Sequence, residues 1–200
     1  MLDRVVDGTA ADGYAIVPSF LQVSLVAALR ADLASRAAAG LLRDAAVGAG
    51  ASRVVRPEIR GDRISWIDPA RSDSEVEFLA RLETLRETCN RELQLGLSTV
   101  EAHFAEYASG RGYARHLDRS PAGVERVLSA VCYLNDGWST ADGGHLVLET
   151  DRGAVEVEPR GGVLVAFLSD RFPHRVEPAT QPRRSIAAWF SRRPSMAPVF

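Results

Sequence analysis

The chemistry this chain could perform is concentrated in a few histidines, one aspartate and one arginine. In the segment GYARHLD, His116 and Asp118 are separated by a single residue. On a strand of period two, both side chains project to the same face and can share one cation. That spacing alone is weak evidence, because a lone His-x-Asp is commonly a surface pair. A second histidine, His174, follows the apolar stretch GVLVAFL and the turn-like SDRFP, where a strand of the same barrel can present it. Two imidazoles and one carboxylate on one face of an octahedral ion leave three positions open, an arrangement suited to Fe(II) and dioxygen chemistry. Zinc accepts the same donors, but nothing nearby supplies a general base in a hydrolase arrangement. His103, in a strand-like run, and His145, after a Gly-Gly turn, read as structural residues.

Arg183 and Arg184 follow His174 and open the last strand-like segment. An arginine fork in a pocket matches the far carboxylate of a dicarboxylate ligand. Strand parity separates the two. Arg183, Ser185 and Ala187 share one face, with room left for a ligand. Arg184, Ile186 and Phe190 share the other, which suits packing beneath a solvated head group. Arg183 is therefore the expected anion anchor.

These residues need a scaffold, and the remaining sequence describes one. A β-like run begins at Tyr14, and Leu25, Leu29 and Leu33 then recur at helical spacing until Gly40. Residues 41–53 lose all periodicity and read as a loop. After EIRGDRISWI, Ser72 or Ser74 announces a second helix, each followed three residues later by Glu, with Phe78, Leu82, Leu85, Cys89 and Leu93 as its apolar stripe. From Val100 onward eight short β segments follow: VEAHFAEY, GYARHLD, RVLSAVCYLN, GHLVLE, AVEVEP, GVLVAFL, HRVEP and RRSIAAWF. Helices followed by a run of strands predict an α+β protein whose strands form a sandwich or barrel with the helices against one outer face.

Composition narrows the function classes. The 200 residues fit one domain, and the formal charge of -2 offers no electrostatic case for nucleic acid or an anionic membrane. No lysine is present, so any anion must be gripped by arginine and Schiff-base chemistry is excluded. Cys89 and Cys132 lie in apolar runs and read as buried thiols, which favours a reducing compartment. The longest apolar stretch, Gly162 to Leu168, is too short to span a bilayer, and the N-terminus lacks a signal pattern, so a cytoplasmic protein is expected.

Six ordered segments, IRGDRISWI, YASGRGYARHLD, VCYLNDGW, GGHLVLE, FLSDRFPHRVEPA and RRSIAAWF, run from about Ile59 to Phe190. Together they resemble the 2-oxoglutarate and Fe(II)-dependent dioxygenases, most closely the prolyl hydroxylase branch of oxygen-sensing hydroxylases and their bacterial relatives. The resemblance implies a double-stranded β-helix, a jelly-roll or cupin-like barrel with N-terminal helices packed on one sheet. One oxygenase domain would span 1–200: support with a lid near 43–56 over about 1–98, the β-helix core over about 99–192, and a tail over 193–200.

It further implies that His116, Asp118 and His174 bind Fe(II), and that Arg183 pairs with the distal carboxylate of 2-oxoglutarate, joined by the Tyr133 hydroxyl. Tyr107, Leu146 and Trp189 would line the cosubstrate pocket. Arg126 would sit at the mouth, and Asp62, in Arg60-Gly61-Asp62, at the junction where a substrate-covering loop rejoins the core. The implied reaction consumes O2 and 2-oxoglutarate, with ascorbate in support, releases succinate and CO2, and hydroxylates an unactivated C–H bond. A carboxylate at position 118 favours hydroxylation over halogenation. A prolyl residue of a protein or peptide is the expected substrate; a free amino acid or small molecule is the alternative. A barrel that binds metal or ligand without turnover is a third reading, and oligomeric state is not legible.

Overall fold

The computed structural model describes residues 1–48, 54–118 and 124–193. Three helices precede most of the strands: α1 (Leu2–Asp12), α2 (Val23–Ala38) and α3 (Asp73–Leu93). Helix α1 is not evident from periodicity, because it buries only Val5 and Thr9. Its end is conventional: Gly13, at φ 83°, takes the left-handed position and donates its N–H to the Thr9 carbonyl. Helix α3 starts where the Ser72 signal places it, with Ser72 Oγ accepting from the Glu75 N–H. The box does not close, however. The Glu75 carboxylate is drawn instead to Arg36 of α2 and to the Asp68 N–H, which clamps two helices and the preceding loop.

Thirteen strands are present among the described residues. The larger sheet contains β1 (Tyr14–Val17), β2 (Arg43–Asp44), β5 (Asp62–Trp66), β6 (Thr99–Tyr107), β8 (Glu125–Tyr133), β11 (Leu164–Leu168) and β13 (Arg183–Arg192), in the order β1-β11-β8-β13-β6-β5-β2. The smaller sheet contains β7 (Tyr113–His116), β9 (Leu146–Thr150), β10 (Gly153–Val157) and β12 (His174–Val176), in the order β10-β9-β12-β7. Among the described residues their strands pair antiparallel throughout. The stretch expected to be an aperiodic loop instead contains β2, paired to β5, and β3 (Ala46–Val47), paired to β4 (Val54–Val55). These two-residue strands are too short for alternation to register. Residues 49–53, part of the expected lid, lie outside the described residues, as does most of the expected tail.

Strand parity divides the larger sheet between two cores. Leu128, Ala130 and Cys132 of β8, Leu164 and Ala166 of β11, and Ile186, Ala188 and Phe190 of β13 face the helices, meeting Leu29, Leu33, Phe78, Leu82 and Leu85. Tyr133, Val165, Phe167 and Tyr107 face the other way, toward Leu146, Leu148 and Val176 of the smaller sheet. Each fully buried Leu or Phe in these layers contributes roughly 1.5–3 kcal/mol. This is the double-stranded β-helix with its helices on one sheet. Among the described residues, no helix is long and apolar enough to cross a membrane.

Candidate metal centre and ligand pocket

Between the sheets lies a cavity of about 630 Å3. His116 at the end of β7 and His174 at the start of β12 are direct cross-strand partners, which brings their ring centroids to 4.2 Å. Asp118 completes the group: its Oδ1 lies 3.7 Å from His116 Nε2 and its Oδ2 lies 3.8 Å from His174 Nε2. One donor atom from each residue falls within 4.8 Å of the other two. Strand parity does not bring Asp118 beside His116, because β7 ends at His116 and Asp118 lies beyond it. The pair meets, but the pleat is not what aims the carboxylate.

The donor chemistry suits a divalent cation. Nδ1 of His116 lies 2.8 Å from the Ala114 carbonyl and Nδ1 of His174 lies 3.0 Å from the Phe172 carbonyl. A carbonyl can only accept, so each Nδ1 carries the proton and each Nε2 offers its lone pair to the centre. Burial, reinforced by neighbouring His174, pushes His116 down to about 4, which leaves it neutral at pH 7. Burial pushes the Asp118 carboxyl up, but the two histidines, the Ser129 hydroxyl and the Trp189 indole outweigh it and hold the carboxyl below its ordinary value.

A buried arginine, Arg183, lines the same cavity. The Arg183 side chain is 1% exposed. Its Nε donates to the Gly144 carbonyl at 2.8 Å and its Nη1 donates to Ser185 Oγ at 3.3 Å. The Arg183 Nη2 and the Tyr133 hydroxyl are both buried without a hydrogen-bond partner among the described residues. Burial pushes the Tyr133 phenol up to about 12, so it stays a donor. The guanidinium lies 5.1 Å from the Tyr133 ring and 5.3 Å from the Tyr107 ring. Two unpartnered buried donors side by side, one of them on an arginine bonded to no carboxylate among the described residues, fit the distal carboxylate of 2-oxoglutarate. Gly144, at φ 70°, makes room for this: a Cβ there would lie 3.3 Å from Arg183 Cδ and 3.0 Å from Ala179 Cβ.

The remaining expected residues also line the cavity. Leu146 and Trp189 form walls, and the Arg126 guanidinium lies 4.0 Å over the Trp189 ring while pairing with Glu101 at 2.6 Å. Asp62 is 2% exposed and accepts from Arg60 Nε at 2.8 Å and Nη2 at 3.1 Å. Arg184 lies on the opposite face and pairs with Glu106. His145 lies 3.9 Å from Glu177 and is not among the lining residues.

Sequence reasoning passed over three contributors. His103 is buried, but it forms part of the cavity wall, with its ring centroid 5.3 Å from Trp66 and 5.2 Å from Trp189. Its parity with Ala105 and Tyr107 on β6 was the available signal. Tyr113 stacks on His116 at 3.6 Å and carries the Arg60 guanidinium 5.0 Å over its ring. Parity assigns Tyr113 and His116 to opposite faces. An irregularity in the β7–β12 pairing, where His174 pairs His116 but Val176 pairs Tyr113, absorbs the extra residue. The third contributor, Ser129, shares the Tyr133 face of β8 and donates to Asp118 Oδ2 at 2.7 Å.

A β-helix that gathers two histidines and an aspartate near a buried arginine defines a class of metal-dependent oxygenase folds, and comparison with known proteins agrees. The family model described as the 2OG-Fe(II) oxygenase superfamily matches residues 102–191. A prolyl-4-hydroxylase of Pseudomonas putida is 43% identical and superposes with a TM-score of 0.87, over 96% of this chain and 100% of that one. A prolyl hydroxylase from Trichoplax adhaerens, solved with a hypoxia inducible factor oxygen degradation domain peptide fragment, is 29% identical with a TM-score of 0.85, over 94% of this chain and 88% of that one. Egl nine homolog 1 of Homo sapiens is 30% identical over 142 residues, 66% of this chain, and the match spans only 33% of that protein. The chain belongs to the 2-oxoglutarate and Fe(II)-dependent oxygenases, in their prolyl hydroxylase branch. The cofactor and cosubstrates of that superfamily are Fe(II), 2-oxoglutarate and dioxygen.

Proposed function

We propose that this protein hydroxylates a prolyl residue of a protein or peptide, with His116, Asp118 and His174 holding Fe(II). The observation that carries the reading is that triad in one cavity with Arg183, whose Nη2 is buried and unpartnered among the described residues, as is the hydroxyl of Tyr133 beside it. Bound iron, with 2-oxoglutarate and dioxygen, supplies the oxidation that turns C–H into C–OH, with succinate and CO2 as coproducts. The chain supplies position and environment. Its two imidazole Nε2 atoms and one carboxylate would hold the cation. Arg183 and Tyr133 orient the dicarboxylate, while Tyr107 and Leu146 keep water from its methylene chain.

On the substrate side we assign Arg126, packed over the pocket-wall Trp189, and the Arg60–Asp62 arm to the mouth. Ala46, Val47 and Gly48, at the start of the expected lid, line the same opening. The peptide held by the Trichoplax relative supports a peptide substrate over a free amino acid. Two buried free thiols support a reducing, cytoplasmic setting.

The test is incubation of purified protein with Fe(II), ascorbate, 2-oxoglutarate and cell extract, followed by mass spectrometry and succinate measurement. Oxygen is expected on prolyl residues of a protein, with succinate release absent in His174→Ala. Oxygen confined to small molecules would replace the protein substrate with a free amino acid or metabolite. Equal succinate release by His174→Ala would remove iron chemistry from this cavity.

A further inference from the structure

Asp118 lies past the end of β7, so strand geometry does not dictate where its carboxylate points. What meets that carboxylate is a single rung of the larger sheet. Ser129 on β8 has Phe167 of β11 as its cross-strand partner on one side and Trp189 of β13 on the other. All three lie on the cavity side. Ser129 Oγ donates to Asp118 Oδ2 at 2.7 Å, and the Trp189 indole helps keep the same carboxyl ionised. The Phe167 ring meets the His174 ring edge-on at 4.8 Å.

Behind Ser129 is Ser169, which is 0% exposed and has its Oγ 2.9 Å from Ser129 Oγ. The direction of this pair follows from proton count. Ser129 has one hydroxyl proton, and an ionised carboxylate can only accept it, so Ser169 must donate to Ser129. Ser169 is held in turn by its backbone N–H, which donates to the Val127 carbonyl at 3.0 Å. A polarised two-hydroxyl chain therefore ends on Asp118 Oδ2. Two fully buried hydroxyls cost desolvation free energy unless they are bonded, and these are bonded to each other and to the carboxylate.

We propose that Ser129, backed by Ser169, is the positioning residue that fixes the rotation of the Asp118 carboxylate and thereby sets metal affinity. This rests on the reading of Asp118 as a metal ligand. Partners of metal-binding carboxylates orient them, and their loss weakens metal binding about 10- to 100-fold. The experiment is calorimetric titration of the full chain with Mn(II), an oxygen-stable octahedral ion, in wild type, Ser129→Ala, Ser129→Thr, Ser169→Ala, Asp118→Ala and the Ser129→Ala/Asp118→Ala double variant. Metal-free thermal unfolding is measured in parallel.

Ser129→Ala is expected to bind Mn(II) roughly 10- to 100-fold more weakly while the metal-free protein still unfolds cooperatively, at a midpoint lowered no more than in Ser169→Ala. Ser169→Ala should lose less, and Ser129→Thr should recover most of the affinity because the hydroxyl returns. In the Asp118→Ala background, Ser129→Ala should cost nothing further, since it acts only through that carboxylate. Wild-type affinity in Ser129→Ala, or an equal loss with and without Asp118, would overturn the proposal. A wild-type protein that binds no Mn(II) would instead overturn the metal reading itself, and this proposal with it.

Discussion

Replacing Tyr133 by Phe separates a ligand-binding hydroxyl from a structural one. The Tyr133 side chain is fully buried, and its oxygen has no protein hydrogen-bond partner among the described residues. Removing that oxygen breaks no bond within the fold and leaves the ring in place beside Arg183. In the ligand-free protein stability should therefore hold, or rise by up to about 1–3 kcal/mol, the desolvation cost of an unmet buried polar group. For a chain of this size each kcal/mol corresponds to roughly 2–4 °C in Tm. Binding of 2-oxoglutarate should move the opposite way. A hydrogen bond to a charged acceptor is worth about 1.5–3 kcal/mol, so affinity should fall roughly ten- to one-hundred-and-fifty-fold. Tyr133→Phe is a cleaner probe than any Arg183 variant, because Arg183 also holds the Gly144 carbonyl and Ser185. Calorimetry of 2-oxoglutarate with Mn(II)-loaded protein and thermal unfolding without ligand measure the two effects. Unchanged 2-oxoglutarate affinity, or a destabilised ligand-free protein, would refute the assignment of this hydroxyl to a cosubstrate carboxylate.

Two further expectations concern stability. Burial lowers His103 to about 4, with Arg60 adding to the effect. Between that value and its ordinary 6.5 the unfolded chain binds a proton that the folded chain refuses, so stability rises with pH across this window and falls on acidification. The slope should lessen in His103→Met, measured by urea unfolding of metal-free protein between pH 7 and pH 4; an unchanged profile would show that other groups carry it. Arg36 and Glu75 form an ion pair between α2 and α3 with side chains 6% and 1% exposed. Arg36→Met leaves a buried carboxylate unpaired and should cost about 3–5 kcal/mol in urea unfolding, and a loss below 1 kcal/mol would contradict that.

The order of elements, the eight strands after residue 99 and the faces of β8 and β13 were legible from alternation and helical spacing. So was the choice of Arg183 over Arg184, since parity is a local property of an extended chain. Local reasoning lost force where pairing is irregular or strands are very short. Helix α1 has too narrow a buried stripe to be read, and β2, β3 and β4 are two residues each. The side-by-side placement of Tyr113 and His116 depends on a break in register that only the partner strand reveals.

The sequence by itself determined which residue types meet: two histidines, an aspartate, an arginine and a tyrosine carried in a recognisable order along the chain. The tertiary structure alone decided how they are aimed. Asp118 is held from another sheet by Ser129, Ser169 is 40 residues from Ser129 along the chain, and Arg183 is held by the carbonyl of Gly144, 39 residues away. Such restraints act through space between residues distant in sequence, so periodicity, which reports only on near neighbours, carries no trace of them.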